Sequence, residues 1–432
     1  MNEKVAIVGG GILGMTAALR IAEKGYQVQL FDAAPEIGGL TRAWKIDNVT
    51  WDKFYHVILL SDTYTRKILS EIGLENEINW VETKTGFYSG GKLYSMSNLM
   101  EFFKFPPINL IDKFRLGFTI FAASRIKNWK KLEQIPVEKW LTRFSGKRTF
   151  NKIWLPLLKA KLGESYKETA ASFIWATIQR MYAARRTGLK KEMFGYVEGG
   201  YDLILDAFER RLQDKNITIH KGYKAEVVQK DEDSIFIKFE NKEKLVFDKV
   251  VMTTPSPIIT KTVVGLSERE ISKFNSTEYL GVVCTSLLLK NPISPYYVTN
   301  ITDDIAPFTG IIEMSALVDK SNYNGYSLIY LPKYVKASDS FYAQTDVEIE
   351  KNFIDTLKRM YPQINDDEVI ASKTARTPFV FALPKIGYSE SLSPMKTSIP
   401  GLFCINSSYI TNATLNVNDT IKLAEESVSK YF

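Results

Sequence analysis

The sequence predicts an α/β protein: a discontinuous parallel-sheet domain joined to an α+β domain that carries a helical insertion. Three observations predict it. The opening "VAIVGGGILGMTAALRIAEKGYQVQLFD" reads as strand, glycine turn, helix and strand. Residues 99–186 then lose strand alternation and place Phe, Trp, Leu and Lys at helical spacings. Strands return after this stretch, and the chain ends "GLFCINSSYITNATLNVNDTIKLAEESVSKYF", a strand, loop and helix. The parallel sheet is therefore expected to draw on both ends and the middle of the chain.

Element by element, residues 5–8 form a continuous apolar run of strand length. Ile12, Leu13, Ala17, Ala18 and Ile21 recur at helical spacing, and Gly25 stops that helix. Residues 28–31 make the second strand, and a helix is expected over 62–72. "GFYSGGKLYSM" reads as two strands about a turn at Ser89, Gly90 and Gly91. Pro107, Pro136 and Pro156 punctuate the helical stretch. Gly199 and Gly200 precede a further helix, followed by strands "ITIH", "KAEVV", "SIFIKFE" and "KVVMTT". More strands and a helix over 346–360 complete the middle of the chain. The expected divisions are 1–80, 191–270 and 391–432 for the parallel-sheet domain, 81–190 for the helical subdomain and 271–390 for the second sheet.

Bulk composition narrows the function classes. With 432 residues, 45% hydrophobic and 24% charged, the chain supports a sizeable core, and disorder is not expected. The net charge of +7 is modest, and Lys and Arg are spread along the chain, which argues against nucleic acid. Two cysteines, Cys284 and Cys404, each in an apolar run, read as buried thiols rather than a disulfide framework. With two histidines and two cysteines far apart, no metal site is expected. No "GxSxG" hydrolase elbow occurs. The glycine-punctuated strand stands where a signal peptide would begin, and no apolar run approaches the ~18–20 residues of a membrane span. A cytoplasmic protein is expected, with peripheral membrane contact left open and the oligomeric state unknown.

The opening glycines have separate tasks. Gly9 makes the tight turn, Gly11 lets a pyrophosphate approach the backbone, and Gly14 lets the helix pack on the strand. Phosphates would then meet the N–H groups of a helix N-terminus. Asp32 ends the second strand, 18 residues after Gly14, placed to accept from ribose hydroxyls and to repel a 2′-phosphate. FAD or NAD fits; NADP does not. Just past it, "DAAPEIGGLTR" sets Glu36, Gly38, Gly39, Leu40, Thr41 and Arg42.

That second glycine pair resembles the signature of the amine oxidase superfamily of flavoproteins. "DNVTWDKFYHVILLSD", "GFYSGGKLY", "WLPLLKAKLGES", "GYVEGGYDLILDAFERRL" and "KVVMTTPSP" are similar to landmarks of its protoporphyrinogen-oxidase-like branch. The resemblance covers most of the chain and implies a Rossmann-like FAD-binding domain. It implies that Gly9, Gly11, Gly14, Asp32, Gly38, Gly39, Leu40, Thr41 and Arg42 hold non-covalent FAD, with Val227 meeting the adenine through its backbone. It also implies that the helix entered at Asn416 points its N-terminus at the pyrimidine end of the flavin, stabilising reduced-flavin charge. Where many relatives carry an acid after the last strand, this chain reads "CINSS", with Asn406 as a hydrogen-bond donor.

For the chemistry, His56 in "KFYHVI" is either a core histidine or a flavin-facing group. This stretch also resembles the "HIF" segment of UDP-galactopyranose mutase, although Leu59 stands in place of a second histidine of that pattern. His220 ends an expected edge strand and reads as structural. Arg180, Arg185 and Arg186, with Lys190 and Lys191, form a basic cluster that either grips an anionic substrate or makes a solvated helix face. Phe379, Phe381, Tyr388 and Tyr409 either line an apolar pocket or pack the core. Three functions follow as expectations. The first is an FAD-dependent oxidoreductase taking hydride from a small-molecule C–H bond. The second is a mutase-like flavoenzyme acting on a nucleotide sugar without net redox. The third is a non-catalytic binding protein, as Rab escort relatives are.

Overall fold

A computed structural model describes residues 3–183 and 192–432. Five parallel strands form the first sheet, in the order Thr218–Lys221, Gln27–Asp32, Lys4–Val8, Lys249–Met252 and Leu402–Cys404. They come from the N-terminal, middle and C-terminal parts of the chain, as the sequence led us to expect. Alternation along Lys4–Val8 sends its side chains into two cores. Val5 and Ile7 meet Met15, Ala18 and Leu19 of the helix Ile12–Glu23, together with the C-terminal helix Val417–Tyr431. Ala6 and Val8 point the other way, with Phe31, into an antiparallel sheet contributing Val228, Ile235 and Ile237. Each fully buried Ile, Leu or Phe here contributes about 1.5–3 kcal/mol, so the layers hold one another in place.

The second sheet has seven strands, in the order Val369–Ala382, Tyr279–Leu289, Ser327–Val335, Gly310–Glu313, Val298–Ile301, Thr85–Ser89 and Lys92–Ser95. The interior strand Tyr279–Leu289 is buried at every position, Thr285 and Ser286 included, in keeping with its mostly apolar sequence. On one face Val283 and Leu287 pack against Ile349, Phe353 and Leu357 of the helix Asp346–Met360. On the other face Val282, Cys284 and Tyr330 pack against Trp51 and Phe194. Both cysteines are free and buried, as expected.

The helices of residues 99–183 pack on the seven-stranded sheet, where their core meets Phe87 and Leu280. Pro136 caps the helix Val137–Ser145, and Pro156 sits in the first turn of Leu155–Leu162 after a π-helical turn at Phe150–Trp154. Both positions tolerate a residue without a backbone N–H. Two differences from the sequence reading matter. The hairpin Thr85–Ser89 and Lys92–Ser95 belongs to the edge of the seven-stranded sheet rather than to the helices, because Val298–Ile301 pairs with it in parallel. Met193–Val197 is a strand, pairing with Ile78–Glu82 and Ile58–Leu59. His220 lies on the edge strand, stacked 4.5 Å from Phe31 and bonded to Gln29.

Candidate functional site

Two glycine-rich turns face each other at the C-terminal edge of the parallel sheet. Gly11 bridges to Gly38, and the Gly38 N–H donates to the Gly10 carbonyl at 2.7 Å. A Cβ on Gly14 would stand 1.8 Å from the Gly9 carbonyl oxygen, so only glycine lets the helix seat this close to the strand. A Cβ on Gly11 would meet nothing nearer than the Gly39 Cα at 3.9 Å. The turns thus leave a trough free of side chains, beside a helix N-terminus that no side chain caps. A diphosphate fits such a trough.

The charged groups around it fit the same ligand. Asp32 is half-buried; its Oδ2 accepts from the Gly10 N–H at 2.6 Å and its Oδ1 from the Ala34 N–H at 2.7 Å. A carboxylate has about four lone-pair sites, so acceptor capacity remains for ribose hydroxyls. Thr41 Oγ1 donates to the Gly38 carbonyl, fixing the short turn Gly39–Thr41 that also presents Leu40. Arg42 follows directly, and its Nε is buried with no hydrogen-bond partner in the protein. A buried guanidinium donor left open beside a phosphate-sized trough is what a bound diphosphate would satisfy. Val227 stands where the pairing of Ala225–Asp231 slips register, half-buried.

The C-terminal segment supplies the other wall. Asn406 is buried; its Oδ1 accepts from the N–H and Oγ of Ser408, and its Nδ2 donates to the Thr254 carbonyl. Its side chain therefore fixes the loop. Tyr388 donates its hydroxyl to the Ser408 carbonyl at 2.8 Å. Asn416 caps the final helix, its Oδ1 accepting from the Asp419 N–H.

Next to this segment opens a cleft of about 390 Å³. Trp154, Leu158, Phe173, Phe381, Ile410 and Leu415 make it largely apolar, and Tyr388 joins them. Lys161 is the one charged side chain lining it among the described residues. Its ammonium lies over the Tyr334 ring, 3.1 Å from the centroid, and 5.5 Å from that of Phe381. The rings hold the cation without neutralising it. Sequence reasoning missed Lys161, because a lysine in "LLKAKLG" reads as an ordinary solvated helix position. Phe379 packs edge-on against Tyr279 instead.

His56 is not among the residues lining this cleft. Its neighbour Tyr55 shares a hydrogen bond of 2.9 Å with the cleft-lining Tyr334. The His56 Nδ1 is 3.9 Å from Asp52 Oδ2, and the ring lies 5.0 Å from Tyr201. Burial lowers the imidazole pKa to about 4 and raises that of Asp52 to about 8, against a backbone bond from Tyr201 that favours the Asp52 carboxylate. A neutral pair and an ion pair hold the same number of protons here, and burial favours the neutral one. At 3.9 Å the contact is too long for a hydrogen bond. His56 is then a neutral imidazole at pH 7 with an open Nδ1.

The basic cluster divides. Arg180 makes two hydrogen bonds to Asp62, of 3.0 and 3.1 Å, and Asp62 also accepts from the Leu59 N–H. This ties the helix Ala171–Ala183 to the start of Thr63–Glu71, and Arg180 is not among the residues lining the cleft. Arg185, Arg186, Lys190 and Lys191 lie outside the described residues. Among the described residues no group of three His, Cys, Asp or Glu could hold a metal. No described helix is long and apolar enough to cross a membrane.

Comparison with known proteins places this geometry. The model of the flavin-containing amine oxidoreductases matches residues 14–414. A probable zeta-carotene desaturase of Synechococcus elongatus is 22% identical over 233 residues, 48% of each chain, so the match spans about half the length of that relative. A putative protoporphyrinogen oxidase from Exiguobacterium superposes with a TM-score of 0.77 at 15% identity, covering 100% of this chain and 98% of that one. Reduced UDP-galactopyranose mutase superposes equally well, at 0.77 and 17% identity over 99% and 95% of the two chains. These two likenesses concern the fold. The chain belongs to the flavin-containing amine oxidoreductase family.

Proposed function

We propose that the protein is an FAD-dependent oxidoreductase that dehydrogenates a largely apolar small molecule bearing an anionic group. The observation that carries this reading is the apolar cleft with Lys161 as its one charge among the described residues, walled by the loop leading into the final helix. The Gly9–Gly14 and Gly38–Gly39 turns, Asp32 and Arg42 would hold the dinucleotide non-covalently. When bound, FAD supplies a two-electron acceptor for a substrate hydride. The protein's own share is binding, orientation and dryness. Trp154, Leu158, Phe173 and Phe381 exclude water from the substrate carbon, and Lys161 anchors the anionic end. His56, a neutral imidazole at pH 7, is not a source of the proton for an acid step.

Arg180 is paired to Asp62 and does not line the cleft, and the largely apolar lining suits an apolar substrate better than a nucleotide sugar. The test is anaerobic mixing of flavin-loaded protein with apolar acids and their methyl esters. Acids should bleach the visible flavin band faster than esters. Turnover of a nucleotide sugar only after dithionite reduction, with no net oxidation, would overturn the reading.

A further inference from the structure

Helix Leu110–Arg125 has two apolar faces. Leu116 and Ala123 are buried in the helical core, with Thr119 beside them. On the opposite arc Leu110, Phe114, Phe118 and Phe121, at spacings of four, four and three, are all more than half exposed. Ile111 beside them is 69% exposed. The neighbouring helix Leu99–Lys104 adds Leu99 and Met100, 71% and 68% exposed. Phe103 and Phe114 touch, with ring centroids 5.7 Å apart, so the two helices present one continuous surface. Helices apolar all round are ordinarily covered, and patches of this kind mark contact sites.

The charge around the patch states what covers it. Residues 99–152 hold twelve Lys and Arg against four Asp and Glu, a net +8, while the whole chain is +7. Three of the four acids are engaged inside the protein: Glu101 with Ser95, Asp112 with Arg148, and Glu133 with Ser389. Lys104, Arg115, Arg125, Lys127, Lys147 and Lys152 are exposed. A second copy would bring the same positive charge against this one and be repelled. An anionic lipid surface complements both the apolar arc and its cationic border.

We propose that the helices Leu99–Lys104 and Leu110–Arg125 lie in the plane of an anionic membrane surface, their exposed aromatic and aliphatic side chains inserted at the headgroup boundary. The placement also bears on the cleft. Helix Ala171–Ala183 lines it with Phe173 and Thr177, while its Trp175 and Gln179 donate to the Ile126 and Ala123 carbonyls, where Leu110–Arg125 ends. One helical layer separates the membrane-facing surface from the cleft, a short path for an apolar molecule dissolved in the bilayer.

The test uses the purified full chain, sedimented with vesicles of phosphatidylcholine alone or mixed with phosphatidylglycerol. Binding should favour the anionic vesicles and fall with salt. The double variant Phe114→Ser, Phe118→Ser changes only exposed positions and should melt like the parent, yet lose binding by about tenfold or more. Lys104→Glu with Lys127→Glu should weaken binding to the anionic vesicles by more than about tenfold. Binding to neither vesicle overturns the proposal, as does undiminished binding by the aromatic double variant. A concentration-dependent dimer abolished by Phe114→Ser and Phe118→Ser, without vesicle binding, would assign the surface to self-association instead.

Discussion

Gly14 and Lys161 show what a single residue can and cannot disclose. Gly14→Ala drives a methyl to 1.8 Å from the Gly9 carbonyl, where the obstacle is backbone and cannot move aside. The expected outcome is a loss of at least about 2 kcal/mol in denaturant unfolding, or an insoluble protein. Lys161→Gln keeps a polar side chain, one bond shorter, and removes the charge. For an anionic substrate it should raise KM by about ten- to hundredfold with kcat nearly unchanged, the loss of a charged hydrogen bond worth roughly 1.5–3 kcal/mol, while an uncharged analogue should be unaffected in steady-state kinetics. The placement of the glycines and Asp32 about one turn was legible in the sequence because it is tied to spacing along one βαβ unit. Lys161 was not: its partners Tyr334 and Phe381 come from strands far along the chain. The same distance explains Arg180, whose partner Asp62 no local pattern could indicate.

At the scale of elements, the strand Val49–Asp52 ends on a carboxyl that the fold encloses completely. The Asp52 pKa, raised from 3.8 to about 8, means the unfolded chain releases this proton at a lower pH than the folded one. Its contribution to stability is therefore full below about pH 4 and is lost progressively as pH rises toward 8. Asp52→Asn retains an acceptor for the Tyr201 N–H and removes the titration. In thermal melts the variant should match the parent near pH 4 and exceed it at pH 8, by on the order of a few kcal/mol. An equal difference at both pH values would show that Asp52 is not the titrating group. Helices with one dominant period were readable in advance, as Ile12–Glu23 and Asp346–Met360 show. The hairpin at 85–95 was recognised as a hairpin but assigned to the wrong layer, since its sheet partner Val298–Ile301 lies some two hundred residues on.

Across the whole molecule, the sequence's modest net charge concealed an uneven distribution. Averaged over 432 residues, +7 looked scattered; the stretch 99–152 alone carries +8, and the rest of the chain is near neutral. The three-part parallel sheet was legible because strand and glycine patterns recur at both ends of the chain. The cleft was not, since it exists only where helices, sheet and C-terminal loop meet. The central claim is that the facing glycine turns hold the FAD diphosphate, and Gly11→Val tests it most directly. A Cβ there meets nothing nearer than the Gly39 Cα at 3.9 Å, and circular dichroism and melting check that the valine variant still folds like the parent. In absorbance titration the parent should bind one FAD per chain, released by acid precipitation, and Gly11→Val should bind none. A folded parent that takes up no FAD, or a Gly11→Val protein that binds it as tightly as the parent, would contradict the account.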